Sequence, residues 1–174
     1  IPAIRLMFVR KDVAEDDRLA LIVTMAQLAE KAKTQSLETL LKDVKNHPDE
    51  FLRYGIQMVV DGVEENIIRE NLENKVLVSH QNTQNVNGVF CTMGTFSPIF
   101  GLLGSLIGVG QVLRHLSDPS SMGASMAIAI TSTFYGIFAA NFLFLPSSIK
   151  LGDLNENETF RKNIMTEGIL SIAR

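Results

Sequence analysis

Tryptophan is absent from this 174-residue chain, and there is one cysteine, Cys91. A single thiol forms no disulfide framework and no zinc spacing, and it gives no sign of an oxidising compartment. The net charge of −3 gives no reason to invoke nucleic acid. His47, His80 and His115 share no ligand spacing, and no Ser-His-Asp set or carboxylate pair can be argued. Gly108-Val-Gly110 lacks the third glycine and the preceding strand of a dinucleotide-binding turn, so packing is the better reading. Nothing supports catalysis. The expectation is a protein that is not an enzyme and holds no cofactor or metal.

The most informative scarcity is charge. Charged residues make up 20% of the chain, an ordinary figure that hides an uneven spread. No Asp, Glu, Lys or Arg occurs from Gly88 to Leu113, and none from Pro119 to Ile149. The chain is therefore a charged helical part joined to an apolar hairpin. The expected fold is all-α, a polytopic membrane protein with a transmembrane helical hairpin and a cytoplasmic helical domain. Runs 88–113 and 122–149 each exceed the roughly 20 residues that cross a bilayer as a helix. Small residues at fourfold spacing, Gly104/Gly108 and Ser132/Gly136/Ala140, let helix backbones approach closely in lipid. A buried hairpin of a soluble α-protein is the bland alternative, and two consecutive charge-free runs of this length argue against it.

What flanks the hairpin sets its expected orientation. Arg69, Lys75, Lys150, Arg161 and Lys162 lie near its outer ends, against Arg114 alone in the connection. By the excess of basic residues on cytoplasmic flanks, loop 114–121 lies in the periplasm, while 12–87 and the tail 150–174 lie in the cytoplasm. Within 12–87, Ile22, Met25, Ala26, Ala29, Ala32, Leu37, Leu40, Leu41 and Val44 recur at three- and four-residue spacing, which predicts a helix from about Glu15 to Val44. His47-Pro48-Asp49-Glu50 ends it and starts another, with proline in the first turn, and Asp61-Gly62 is a turn signal. Residues 1–11 read equally as an amphipathic segment or as the cytoplasmic end of a truncated transmembrane helix. The chain starts at Ile1 and shows no signal peptide, so an excerpt of a longer protein is expected.

Ion-conducting membrane proteins usually place an ionisable residue within a span, and these spans have none. They carry hydroxyls instead: Thr92, Thr95, Ser97, Ser105, Ser125, Thr131, Ser132 and Thr133. The bland role of each is a bond to its own backbone one turn back. The sharper role is to line a polar path beside a carboxylate supplied by another chain. Pro98 and Pro146 each remove a helix hydrogen bond, serving as a packing kink or as a hinge. Lys33 falls on or near the apolar stripe of its helix, either snorkelling or presented to an acidic partner.

The segments Thr95-Phe-Ser-Pro-Ile-Phe-Gly-Leu-Leu-Gly-Ser-Leu-Ile-Gly108, Leu116-Ser-Asp-Pro-Ser-Ser-Met-Gly123, Met126-Ala-Ile-Ala-Ile-Thr-Ser-Thr-Phe-Tyr-Gly136 and Ala140-Asn-Phe-Leu-Phe-Leu-Pro146 resemble the last two membrane helices of the MotA/PomA flagellar stator family. Leu28-Ala-Glu-Lys-Ala-Lys33 and Phe51-Leu-Arg-Tyr-Gly-Ile-Gln-Met-Val-Val-Asp-Gly62 resemble its cytoplasmic helices. The resemblance covers about residues 12–150. It implies a bacterial inner-membrane protein with four membrane helices, five subunits around two copies of a single-span MotB-like partner, and torque exerted on the rotor protein FliG. The partner carries the membrane aspartate that this chain lacks, and the translocated species is H+ or Na+. Carried over by position, the family prolines fall on Pro98 and Pro146. Hydroxyl positions of the ion path fall on Ser105, where sodium-driven members have Thr, and on Thr133. The basic rotor-facing residue falls on Lys33, where the family more often has Arg. The acid expected eight positions later falls on Leu41, which breaks the pattern, so Glu38 or Asp43 stands in for it.

Three rival readings follow from the same residues. An ExbB/TolQ-type energy-transducing subunit shares the superfamily but works without a rotor, and the Asp-Pro-Ser-Ser loop and the large charged domain before the hairpin favour MotA. A self-contained ion channel or transporter needs a charge within the membrane. A purely structural membrane scaffold needs no partner carrying an aspartate, and copurification of such a partner separates the stator from the last two.

Overall fold

The computed structural model describes residues 14–34, 44–45, 47–114 and 119–174. Residues 1–11, Glu38, Leu41, Asp43 and residues 115–118 of the expected loop lie outside them. Among the described residues every regular element is helical, and none is a strand. The elements are α1 (Ala14–Thr34), α2 (Glu50–Val60), α3 (Glu65–Arg114), α4 (Pro119–Ala139), a π-helical turn (Ala140–Phe144) and α5 (Leu145–Ala173). They belong to two units: the described residues up to 82 together with 154–174, and residues 83–153.

In the first unit, local chemistry sets where α2 begins and ends. Asp49 is its N-cap, with Oδ1 accepting from the backbone N–H of Phe51 at 2.9 Å and of Leu52 at 3.5 Å. Pro48 therefore precedes the cap and does not sit in the first turn, because Asp49 supplies the acceptors the free N–H groups need. At the other end, Gly62 N–H donates to Val59 O (3.1 Å) and Val63 N–H to Met58 O (3.1 Å), the paired bonds of a Schellman motif. Gly62 takes φ +73° with nothing near the position of a Cβ, so the need for glycine is conformational.

The core of this unit draws on all four helices. Leu21, Met25 and Leu28 of α1 are buried with Leu52, Ile56 and Val59 of α2, Ile68, Leu72 and Val76 of α3, and Met165, Ile169 and Leu170 of α5. Gly55 lets α2 press on α5, since a Cβ there would run into Ile169. The inward stripe of α1 runs through Leu21, and the expected Ile22 is exposed. α1 is apolar on two faces, so periodicity alone does not choose between them. Beyond the apolar core the α3–α5 contact turns polar. Lys162 Nζ donates to Ser79 Oγ (2.7 Å), His80 Nδ1 meets Thr159 Oγ1 (3.1 Å), and Asn155 Nδ2 donates to His80 O (3.3 Å).

The second unit is the hairpin: the later part of α3, then α4, the π turn and the start of α5. α3 passes the expected boundary at residue 88 without a break and carries Pro98 inside it. α4 opens with Pro119, inside the segment 114–121 read as loop, because proline's fixed φ and missing N–H suit a first helical position. α3 and the continuous helical stretch Met122–Ala173 are each apolar enough to cross a membrane, and only 11% of the most apolar window of each is buried. The core helix of a soluble protein shows the reverse. The 26 charge-free residues of α3 reach about 39 Å at 1.5 Å per residue, against a hydrocarbon core of about 30 Å. This is an all-α membrane protein.

Candidate functional site

α3 and α4 meet along a seam of small residues. Gly94, Gly101 and Gly108 recur every seven residues on α3, the spacing that keeps one helix stripe against a partner. A Cβ added to Gly136 would lie 2.8 Å from Gly101 Cα and 2.8 Å from Ser97 O. One added to Gly108 would lie 2.6 Å from Ala129 Cβ, and one on Gly104 would lie 2.6 Å from Ser132 Cβ. The fourfold spacing of Gly104/Gly108 and Ser132/Gly136 thus does lie in the contact. The sevenfold spacing of Gly94, Gly101 and Gly108 was equally legible, and it carries the stripe past α4, where Gly94 meets Leu145.

Where backbones lie this close, short side chains reach the other helix. Ser105 Oγ donates to Ala129 O across the seam at 2.5 Å and is hydrogen-bonded to Thr133 Oγ1. Gly101 O lies 3.4 Å from Ser105 Oγ and 3.5 Å from Thr133 Oγ1. With one proton per hydroxyl, the simplest assignment has Thr133 donating to Ser105 and Ser105 donating to Ala129 O. The pair then keeps free lone pairs on Thr133 Oγ1, which can accept from a hydrated cation or an acid. Ser97 makes a second crossing, donating to Gly136 O at 3.0 Å. Three others behave blandly: Thr92, Thr95 and Ser132 donate to Gly88 O, Cys91 O and Ile128 O, each on its own helix.

The sequence-derived candidates therefore separate. Ser105 and Thr133 come together. Pro98 is half-buried on α3, one turn before Gly101 and next to Ser97, so it borders the seam below the hydroxyl pair. Pro146 lies elsewhere, exposed in the first turn of α5. Just before it, Leu145 N–H reaches back five residues to Ala140 O. A proline ring collides with the carbonyl four residues earlier, here that of Phe142, and widening the helix by one residue relieves that crowding. Asn141 Nδ2 donates to Ile137 O (2.9 Å) within the widened stretch. Beyond the widened turn Ser147, Ser148 and Leu151 are buried, so the inward stripe takes in both the position an unbroken helix would present from Gly136 and the one after it. Ser148 Oγ there donates to Asn87 Oδ1 of α3 at 2.6 Å. Gly94 makes room for Leu145, whose Cδ2 would lie 2.8 Å from a Cβ.

The rotor-contact candidates are not joined to this arrangement. Lys33 lies in the last turn of α1 with its side chain outside the described residues, as is Glu38 altogether. Among the described residues no group of three or more His, Cys, Asp or Glu is placed to hold a metal ion.

Known proteins share this fold. The sequence profile of the MotA/TolQ/ExbB proton channel family matches residues 43–163. Motility protein A of Borreliella burgdorferi is 33% identical over 89% of this chain and 60% of its own length. Chemotaxis protein PomA of Vibrio alginolyticus is 30% identical over 95% of this chain and 63% of its own. The structure of C. jejuni MotAB contains a chain that superposes with a TM-score of 0.86 at 26% identity, covering 99% of this chain and 68% of that one. The flagellar MotAB stator complex from Bacillus subtilis gives 0.84 at 28% identity, over 99% of this chain and 67% of that one. The present chain spans about three fifths of the length of the curated relatives it matches. It belongs to the MotA/TolQ/ExbB proton channel family, in its MotA/PomA branch.

Proposed function

We propose that this chain is the MotA-type subunit of a flagellar stator in the bacterial inner membrane. Five copies surround two copies of a single-span MotB-like partner, and H+ or Na+ passing through the complex drives torque on a FliG-like rotor protein. The observation that carries the reading is the paired hydroxyl of Ser105 and Thr133 within spans that contain no carboxylate. Such a pair offers oxygen to a cation but holds no charge of its own, so the charge that binds and releases the ion is the partner's aspartate. The exposed apolar residues of α3 and α4 face lipid, neighbouring subunits or that partner. The connection between α3 and α4 lies in the periplasm and the charged helices in the cytoplasm, where Lys33 and Glu38 meet the rotor. The family is one of channels rather than enzymes, and the reading assigns no catalytic step.

The test is ion flux into vesicles carrying the full-length protein, alone and with a single-span partner whose membrane entrance bears an aspartate. Flux only with the partner, together with restored swimming in cells, is the expected result. Robust flux from the protein alone favours a self-contained channel. Partner-dependent flux with no effect on swimming favours the ExbB/TolQ type of work.

A further inference from the structure

We infer that Ser97 is a positioning residue for the ion path: its bond to the Gly136 carbonyl holds the register in which Ser105 and Thr133 meet. The inference rests on the stator reading. A seam built from glycine, alanine and serine is nearly featureless, with Gly101 against Gly136 and Gly108 against Ala129. Knobs-into-holes packing sets register through side-chain shape, and this seam has few side chains to do so. Nor does lipid prefer one register over another, because acyl chains are as apolar as the residues they replace.

Direction must come from hydrogen bonds. Ser97 Oγ donates to Gly136 O at 3.0 Å and Ser105 Oγ to Ala129 O at 2.5 Å. The donors are eight residues apart on α3 and the acceptors seven apart on α4, so the two bonds lie on either side of Gly101. Sliding α4 along α3 lengthens both at once, and within the apolar core neither group has water to turn to. Ser105 is itself half of the hydroxyl pair. Ser97, two turns away on the same helix, acts on that pair only through register. Crossing is a choice made by this position, since Ser132 on the same seam donates to Ile128 O of its own helix at 2.8 Å.

The test compares Ser97→Ala, Ser97→Thr and Ser132→Ala with the unaltered full-length protein, each co-expressed with the partner. The readings are partner copurified, ion flux into vesicles, and the ion concentration giving half-maximal flux. Ser97→Ala is expected to keep the partner and raise the half-saturating concentration about threefold, the usual worth of an interhelical hydrogen bond in lipid. Ser97→Thr keeps the hydroxyl and should stay near the unaltered value, and Ser132→Ala should match it. The inference is overturned by a Ser97→Ala protein that matches Ser132→Ala, by one that loses its partner, or by a Ser97→Thr protein that behaves as Ser97→Ala. An unaltered complex that carries no ions overturns the stator reading and this inference with it, and that control tells the two failures apart.

Discussion

Helices α3 and α5 contribute to two regions built on opposite rules. In the charged unit α3 turns Ile68, Leu72 and Val76 inward and α5 does the same with Met165, Ile169 and Leu170. In the hairpin the large apolar side chains point out, with Phe100, Leu106 and Ile107 all exposed, while glycine, alanine and serine face inward. Water explains the first pattern through the removal of apolar surface from it. Lipid removes that drive, so close backbone contact and hydrogen bonds hold the second. The same residue type therefore means opposite things in the two regions: leucine is the core of one and the outer coat of the other.

The widest separation between the regions is expected in function. Thr133→Val and Pro98→Leu should leave the full-length protein in the membrane and bound to its partner while abolishing swimming, and Thr133→Ser should retain part of it. Normal swimming by Thr133→Val would sink the hydroxyl's role, and a Pro98→Leu protein that does not assemble would make that proline structural only.

Stability should show the reverse. Leu72, fully buried, should cost about 2–5 kcal/mol when cut to alanine. The exposed Leu106→Ala should stay within about 0.5 kcal/mol. Denaturant unfolding of the purified protein, followed by circular dichroism, measures both, and equal losses would erase the contrast. A smaller effect is expected at the seam. Gly136→Leu should cost about 1–3 kcal/mol by forcing backbones apart, whereas Gly110→Leu, with open space around its Cβ position, should be silent. The same unfolding assay decides it, and a silent Gly136→Leu would mean the helices do not meet there. The least effect is expected at the α2 turn, where Gly62→Ala should cost about 1–2 kcal/mol through its left-handed backbone alone. A gain in midpoint would show that this turn is not left-handed in the protein.

Much of this was readable beforehand where one residue's own chemistry settles the matter. The charge-free runs, the turn at Asp61-Gly62 and the small residues of the seam needed no partner to be recognised. The inward face of α1 was not readable, because Ile22 and Leu21 offer equally apolar stripes and the neighbours choose between them. The hydroxyls were harder still. Ser97 and Ser132 look alike in sequence, and each has a carbonyl one turn back within reach. Only the approach of α4 to Gly101 gives Ser97 a better acceptor. The widened turn at Ala140–Phe144 left only Pro146 as a sign, since a proline six residues on is compatible with a kink, a break or an added residue.

By itself the sequence determined which stretches belong in water and which in lipid, because solvent preference is additive along the chain and 31 consecutive residues without charge leave little choice. It also determined the turn at Asp61-Gly62, whose bonds join near neighbours. The tertiary structure decided which hydroxyls bond across the seam and which bond at home, and which face of α1 is core. Each of these turns on a distance between residues far apart in the chain, and helical periodicity carries no information about what stands on the other side.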